Sequence, residues 1–230
     1  MKNKTILSLF DYSGSWSQPY RDAGYEVIQV DIKHGTDVFE VMEWVLCDRN
    51  PNFHCYGILA APPCTDFSLS GASFWKSKET KPADYYSDVT CLQFDNSLDM
   101  HLGFVYATIE IIQQLKPKFW AIENPVGRIG KLVPEIGEPW YFQPYWYGDA
   151  YSKKTALYGK FNKPLKTTNI GLFADGSLEM CEVEPEWKVS SSGRRYSPMM
   201  WTTGGNNSKT KEIRSITPSG FAKSFFLANQ

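Results

Sequence analysis

Apolar and polar positions alternate along the chain in blocks that read as strand, turn and helix. Residues 5–10 (TILSLF) form a largely apolar run, the pattern of a strand covered on both faces. The run enters a small polar turn, DYSGSWS, and then QPYRDAG, which suits a short helix closed by Gly24. Residues 26–30 predict a second strand ending at Asp31. This βαβ opening sets an acidic residue at the tip of the second strand, facing whatever the first turn cradles.

Residues 39–46 read as a helix, and YGILAA (56–61) as a central parallel strand stopped by Pro62-Pro63. From Thr65 to Asp99 the chain is rich in Ser, Thr, Lys and Asp, and it is read as one long, mobile loop of the kind that serves as a lid or binding element. Helical spacing resumes over 101–115, where Leu102, Val105, Tyr106, Ile109 and Ile112 share a face. Lys116-Pro117 ends that helix before a strand, FWAI, which delivers Glu123-Asn124-Pro125. Beyond Gly130, strands are expected at 141–147 and 155–158, with GLFADG as another candidate, and a last helix at 220–227. The alternation predicts an α/β fold with a mostly parallel sheet and helices on both faces.

Composition sharpens this picture in a few places. With 230 residues, 42% hydrophobic and 15% aromatic, the chain can bury one substantial core. No stretch approaches the roughly 18 consecutive apolar residues of a membrane span, and the N-terminus lacks signal-peptide features, so a soluble, cytoplasmic protein without membrane partners is expected. Cys47, Cys55, Cys64, Cys91 and Cys181 are odd in number and follow no ligand spacing, so neither disulfides nor a metal is expected. The net charge of −1 argues against nonspecific coating of nucleic acid. Basic residues nevertheless cluster at Lys153, Lys154, Lys160, Lys163 and Lys166, and again at Lys188, Arg194, Arg195, Lys209, Lys211 and Arg214. Such clusters read either as solvated faces or as a polyanion footprint.

Two segments carry candidate chemistry. In AAPPCTDFS (60–68) a cysteine follows a double proline at a strand end, where stiff backbone presents the thiol outward. In WAIENPVGRIG (120–130) a carboxylate follows an apolar strand, partly withdrawn from water and suited to donating a proton or hydrogen bond.

Together these segments resemble the cytosine-C5 DNA methyltransferase family, whose motifs pair Pro-Cys with a following Phe-Ser, and place Glu-Asn-Val or Glu-Asn-Pro on a later strand. Here they are Pro63-Cys64, Phe67-Ser68 and Glu123-Asn124-Pro125. The resemblance implies a Rossmann-like S-adenosylmethionine-dependent methyltransferase fold. It implies S-adenosylmethionine held by Phe10, Tyr12, Ser13, Gly14, Ser15, Asp31, Ile32, Asp37 and Pro62, with Asp31 on the ribose hydroxyls and Asp37 near the adenine amine. Of the family's Phe-x-Gly-x-Gly-Gly turn, only Gly14 remains among the glycines. Cys64 is the implied nucleophile and Glu123 its partner on the base. The family's Gln-x-Arg-x-Arg falls on 150–154, where only Lys154 keeps a positive charge at its matching position, without the planar fork of arginine. ITPSGFAKSFF (216–226) resembles the last family motif, whose helix packs beside the cofactor turn.

The implied reaction is methyl transfer to C5 of a cytosine that is flipped out or single-stranded, through a covalent cysteine adduct. Residues 1–160 with 213–230 are the expected catalytic domain, and 161–212 a reduced target-recognition region. Ser68, Lys153, Arg194 and Arg195 are expected to face DNA. Phe74 and Trp75 read either as lid residues or as packing aromatics. A monomer is expected, and the small size resembles phage-encoded modification enzymes in a bacterial cell or infected host. Two alternatives stay open: the same chemistry on RNA or a free cytosine nucleotide, and a noncatalytic nucleic-acid-binding module with a decayed cofactor site. A zinc deaminase needs a second cysteine at the position of Phe67 and a His-x-Glu, and neither is present.

Overall fold

The computed structural model describes residues 4–47, 53–84, 92–166, 183–191, 193, 195–198 and 208–230. The chain divides into two units, Met1–Trp140 with Thr155–Phe161, and Tyr141–Lys154 with Asn162–Gln230.

The first unit opens with β1 (Thr5–Leu9), α1 (Gln18–Asp22), β2 (Glu26–Val30), α2 (Val38–Cys47) and β3 (Cys55–Ala60). A short helix α3 (Trp75–Lys78), the long α4 (Ser97–Leu115), β4 (Phe119–Pro125) and α5 (Ile129–Leu132) follow. β5 (Trp140–Phe142) and β6 (Thr155–Lys160) complete a six-stranded sheet of order β2-β1-β3-β4-β6-β5. β1 pairs in parallel with β2 and β3, and β3 with β4, while β6 runs antiparallel to β4. The chain steps from β1 to β2 on one side and then crosses to β3 on the other. The sheet is therefore doubly wound, with its switch point between the carboxyl ends of β1 and β3, where open α/β sheets take their ligands.

Right-handed crossovers place α1 on one face of such a sheet and α2 and α4 on the other, and the packing agrees. α2 and α4 lie against each other, over Leu7, Leu9, Ile58, Ala60 and Ile122, with Phe39, Val45, Val105 and Ile111 in the same core. On the opposite face Tyr20 of α1 is wholly buried and stacks on Phe119, ring centroids 5.9 Å apart. The Phe119 ring also covers Gly57, where any Cβ would run into it. All five residues of β1 and all six of β3 are buried, as their apolar runs predict.

Two expectations require correction. The segment 65–99 is not one mobile loop in its described part: Leu69–Phe74 forms a 3₁₀ turn that leads into α3, and α4 begins at Ser97 because the Asn96 side chain accepts from the Asp99 amide at 2.9 Å. Residues 141–147 are not a strand throughout, since Pro144 starts a 3₁₀ turn, Pro144–Tyr147. GLFADG lies outside the described residues.

In the second unit, Phe142 stacks face to face on Phe221 of α7 (Ser219–Ala228) at 3.7 Å, with Tyr147 edge-on to the same ring. Asp149 receives the Gly220 amide at the start of α7, at 3.0 Å. A two-stranded ribbon, β7 (Lys188–Val189) with β8 (Arg195–Tyr196), and a helix α6 (Ser208–Ser215) complete the described elements. No helix among the described residues is long and apolar enough to cross a membrane.

Candidate active site

The Pro-Cys segment leaves the carboxyl end of β3, and Glu-Asn-Pro forms the carboxyl end of the adjacent parallel strand β4, Ala60 being in register with Ile122. Past the last paired residues of β3 and β4 the two segments stay joined. Asn124, wholly buried, donates from Nδ2 to the Pro62 carbonyl at 3.2 Å. The Leu69 amide donates to Val126 O and the Arg128 amide to Phe67 O, at 3.0 and 2.9 Å, around a bridge between Ser68 and Gly127. The backbones approach so closely there that a side chain at Gly127 would strike Phe67 O. Cys64 itself opens a tight turn, its carbonyl accepting from the amides of Phe67 and Ser68, each at 3.0 Å. Cys64 and Glu123 are both half-buried. On its other side Glu123 is braced by β6, in register with Leu157.

The turn after β1 is built without most of the expected glycines. Phe10 takes a left-handed conformation, φ 58°, and its ring meets Phe104 of α4 edge-on at 5.7 Å. Asp11 is buried and accepts from Ser8 Oγ and Ser17 Oγ, each at 2.8 Å. Gly14, φ 68°, lies over Arg21 and Gln29 too closely for a Cβ to be added freely. Internal hydrogen bonds thus hold the turn. Tyr12 is 41% exposed, while Ser15 is half-buried, and Ser13 faces solvent. At the tip of β2, Asp31 is half-buried and caps a 3₁₀ turn through the Lys33 amide, and Ile32 beside it is 62% exposed. A carboxylate next to an open apolar side chain suits a ribose diol and an adenine ring, so these residues fit the nucleoside part of S-adenosylmethionine. Asp37 is buried and caps α2 through the Phe39 amide, and Pro62 is buried beneath the cysteine turn.

A cluster that motif reading missed lies two residues beyond the thiol. Asp66 is wholly buried. Its Oδ2 accepts from Ser97 Oγ at 2.7 Å and from His101 Nδ1 at 2.8 Å. That ring nitrogen also lies 2.7 Å from the Ser97 carbonyl, and with only acceptors around it, it must carry the proton. Lys78 Nζ stands 3.1 Å from Asp66 Oδ1, close as an ion pair though not aligned as a hydrogen bond. Burial alone would raise the Asp66 carboxyl pKa; the Ser97 hydroxyl and the charges of His101 and Lys78 outweigh it and hold the group below the usual carboxylate range. Arg128 completes the cluster: Nε donates to Asp66 O at 2.9 Å, Nη1 pairs with Glu79 at 2.9 Å, and the guanidinium lies 4.6 Å over Trp75. The sequence shows Asp66 only as a polar flank of the cysteine, and its partners are too distant along the chain to signal themselves.

Other expected site residues are placed as follows. Trp75 is half-buried beneath Arg128, whereas Phe74 is 61% exposed. Ser68 is buried and caps the 3₁₀ turn through the Ser70 amide. Lys153, Lys154 and Arg195 belong to the second unit, with Lys154 over the Tyr141 ring at 4.6 Å and Arg195 over Trp187 at 4.8 Å. Arg194 lies outside the described residues. Among the described residues, no three His, Cys, Asp or Glu side chains gather in a metal-holding group.

Comparison with protein-family models and with curated proteins gives no match. Comparison with solved structures returns methyltransferases. A DNA modification methyltransferase encoded within an E. coli prophage aligns at 16% identity and TM-score 0.42, covering 69% of this chain and 47% of the other. The Entamoeba histolytica methyltransferase EhMeth aligns at 11% identity and TM-score 0.39, covering 81% and 59%. The S. pombe Dnmt2 methyltransferase gives 12% identity and TM-score 0.37, covering 81% and 58%. The chain thus spans roughly half of the length of the solved structures it matches.

Proposed function

We propose that this chain is a methyltransferase that transfers a methyl group from S-adenosylmethionine to C5 of cytosine in DNA, with Cys64 as nucleophile. The observation that carries this reading is the buried hydrogen bond from Asn124 to the Pro62 carbonyl. It ties the backbone just before Cys64 to the strand that bears Glu123, which supports a reading in which the thiol and the carboxylate act on one base.

The residue types suit the chemistry. The Cys64 thiolate adds to C6 of the cytosine ring, which moves electron density to C5. Glu123 holds N3 and the exocyclic amine while that density builds, an interaction that strengthens toward the transition state. The turn after β1, with Asp31 and Ile32, would hold S-adenosylmethionine, whose sulfonium methyl would pass to C5 with the neutral thioether as leaving group. Loss of the C5 proton to a water then restores the ring double bond as the Cys64 thiolate departs. The target base must leave the helical stack to reach these groups, and the exposure of Phe74 on the segment after the cysteine supports a role for it in closing over that base.

The test is transfer of labelled methyl from S-adenosylmethionine to duplex DNA, single-stranded DNA, RNA and dCMP in parallel. Label is expected in DNA cytosine, falling to background in Cys64→Ala and by about a hundredfold or more in Glu123→Gln. Label in RNA or dCMP alone would change the substrate and keep the chemistry. Cofactor binding without transfer to any acceptor would overturn the reading.

A further inference from the structure

The segment that follows Cys64 is fastened from below at two points. Lys78 of α3 pairs with Asp66, and Arg128, which leaves β4 just after the Glu-Asn-Pro segment, pairs with Glu79, covers Trp75 and donates to the Asp66 carbonyl. Asp66 is tied in addition to Ser97 and His101 on the first two turns of α4. One buried carboxylate therefore joins the cysteine turn, α3 and α4, and one guanidinium joins the same turn to β4.

The geometry points to Asp66 as a positioning residue: its carboxylate, held by Ser97, His101 and Lys78, fixes the turn that presents Cys64 and the apolar segment beside it as a single unit. The assignment rests on the proposed role of Cys64, but its physical content, a thiol whose presentation depends on a neighbouring buried carboxylate, stands without it. Asp66 touches no reacting atom in this role. It acts through the Thr65–Ser68 backbone, which is also where the Phe67 and Ser68 amides close the turn on the Cys64 carbonyl. Asparagine at this position keeps the size and one acceptor but loses the charge that Lys78 and His101 face. Methionine at 78 removes only the tie to α3, from a side chain that is already partly exposed.

The experiment measures alkylation of the full chain by iodoacetamide, followed by peptide mass mapping of each cysteine, in wild type, Asp66→Asn, Lys78→Met and His101→Asn. Cys47, exposed on α2, serves as the internal reference in the same sample. Release of the turn uncovers a thiol that is now half-buried, so the Cys64-to-Cys47 labelling ratio is expected to rise about fivefold in Asp66→Asn and two- to threefold in Lys78→Met. His101→Asn, whose amide can replace the Nδ1 donor, is expected to stay near wild type. Methyl transfer is measured alongside, with kcat expected to fall about tenfold in Asp66→Asn and the KM for S-adenosylmethionine unchanged. An unchanged labelling ratio in both Asp66→Asn and Lys78→Met overturns the inference, as does a raised ratio with kcat intact. If wild type methylates nothing, the proposed function fails and the labelling ratio alone decides the positioning role. Should Asp66→Asn not fold, Lys78→Met carries the test.

Discussion

Asp66 shows how a single carboxylate can be worth its burial. A charge without exposure is costly unless it is paired and hydrogen-bonded, and Asp66 has a hydroxyl, an imidazole N–H and an ammonium around it. Because these partners hold its folded pKa below the ordinary carboxylate value, the stability it contributes is fully present above the unfolded value, roughly pH 4, and is lost as pH falls through the depressed folded value. Wild type is therefore expected to exceed Asp66→Asn by about 2 to 3 kcal/mol at pH 7 and pH 5, with the gap closing toward pH 3. Urea unfolding at the three pH values measures it, and a gap independent of pH would mean that the charge is not what matters. The position of Cys64 shortly after β3, and of Glu123 among the last three residues of β4, was legible from sequence because local pattern marks where an apolar strand stops. Asp66 was not legible as a hub, because Lys78, Ser97 and His101 reach it only through the packing of α3 and α4. Asp37 and Ser68, expected to face ligands, cap α2 and a 3₁₀ turn, a task for which Asp and Ser are equally suited.

Among the elements, the parallel strands were the most readable, since burial on both faces demands apolar runs and TILSL, CYGILA and FWAI supply them. Turns built on one residue were less so: Asn96 moves the start of α4 forward to Ser97, and Pro144 converts a run of aromatics from strand to 3₁₀ turn. Gly57 is the element-scale counterpart of these details. It lies in the middle of β3, where glycine ordinarily weakens a strand, and it is needed because the Phe119 ring of β4 occupies the space of its side chain. Gly57→Ala should cost about 2 kcal/mol, measured by denaturant unfolding, and Phe119→Leu in the same chain should recover part of that loss. Recovery would identify the ring contact as the cause; strict additivity of the two losses would refute it.

On the scale of the whole molecule, the sheet is finished only after an excursion. The chain leaves the first unit at 140, enters the second, returns for 155–161 and leaves again. The returning strand β6 pairs with β4 along Trp120–Pro125, including Glu123 and Asn124. A chain ending at Lys154 should therefore expose the outer edge of β4, an aggregation-prone arrangement, and be recovered in insoluble form, whereas the full chain is expected in the soluble fraction; soluble yield and far-UV circular dichroism decide this. The same threading bears on inheritance. A recombination event exchanging the second unit for another would have to replace 141–154 and everything from 162 onward together while sparing 155–161 between them. A single crossover cannot do that, so descent of this architecture favours gradual change within the second unit over its wholesale exchange.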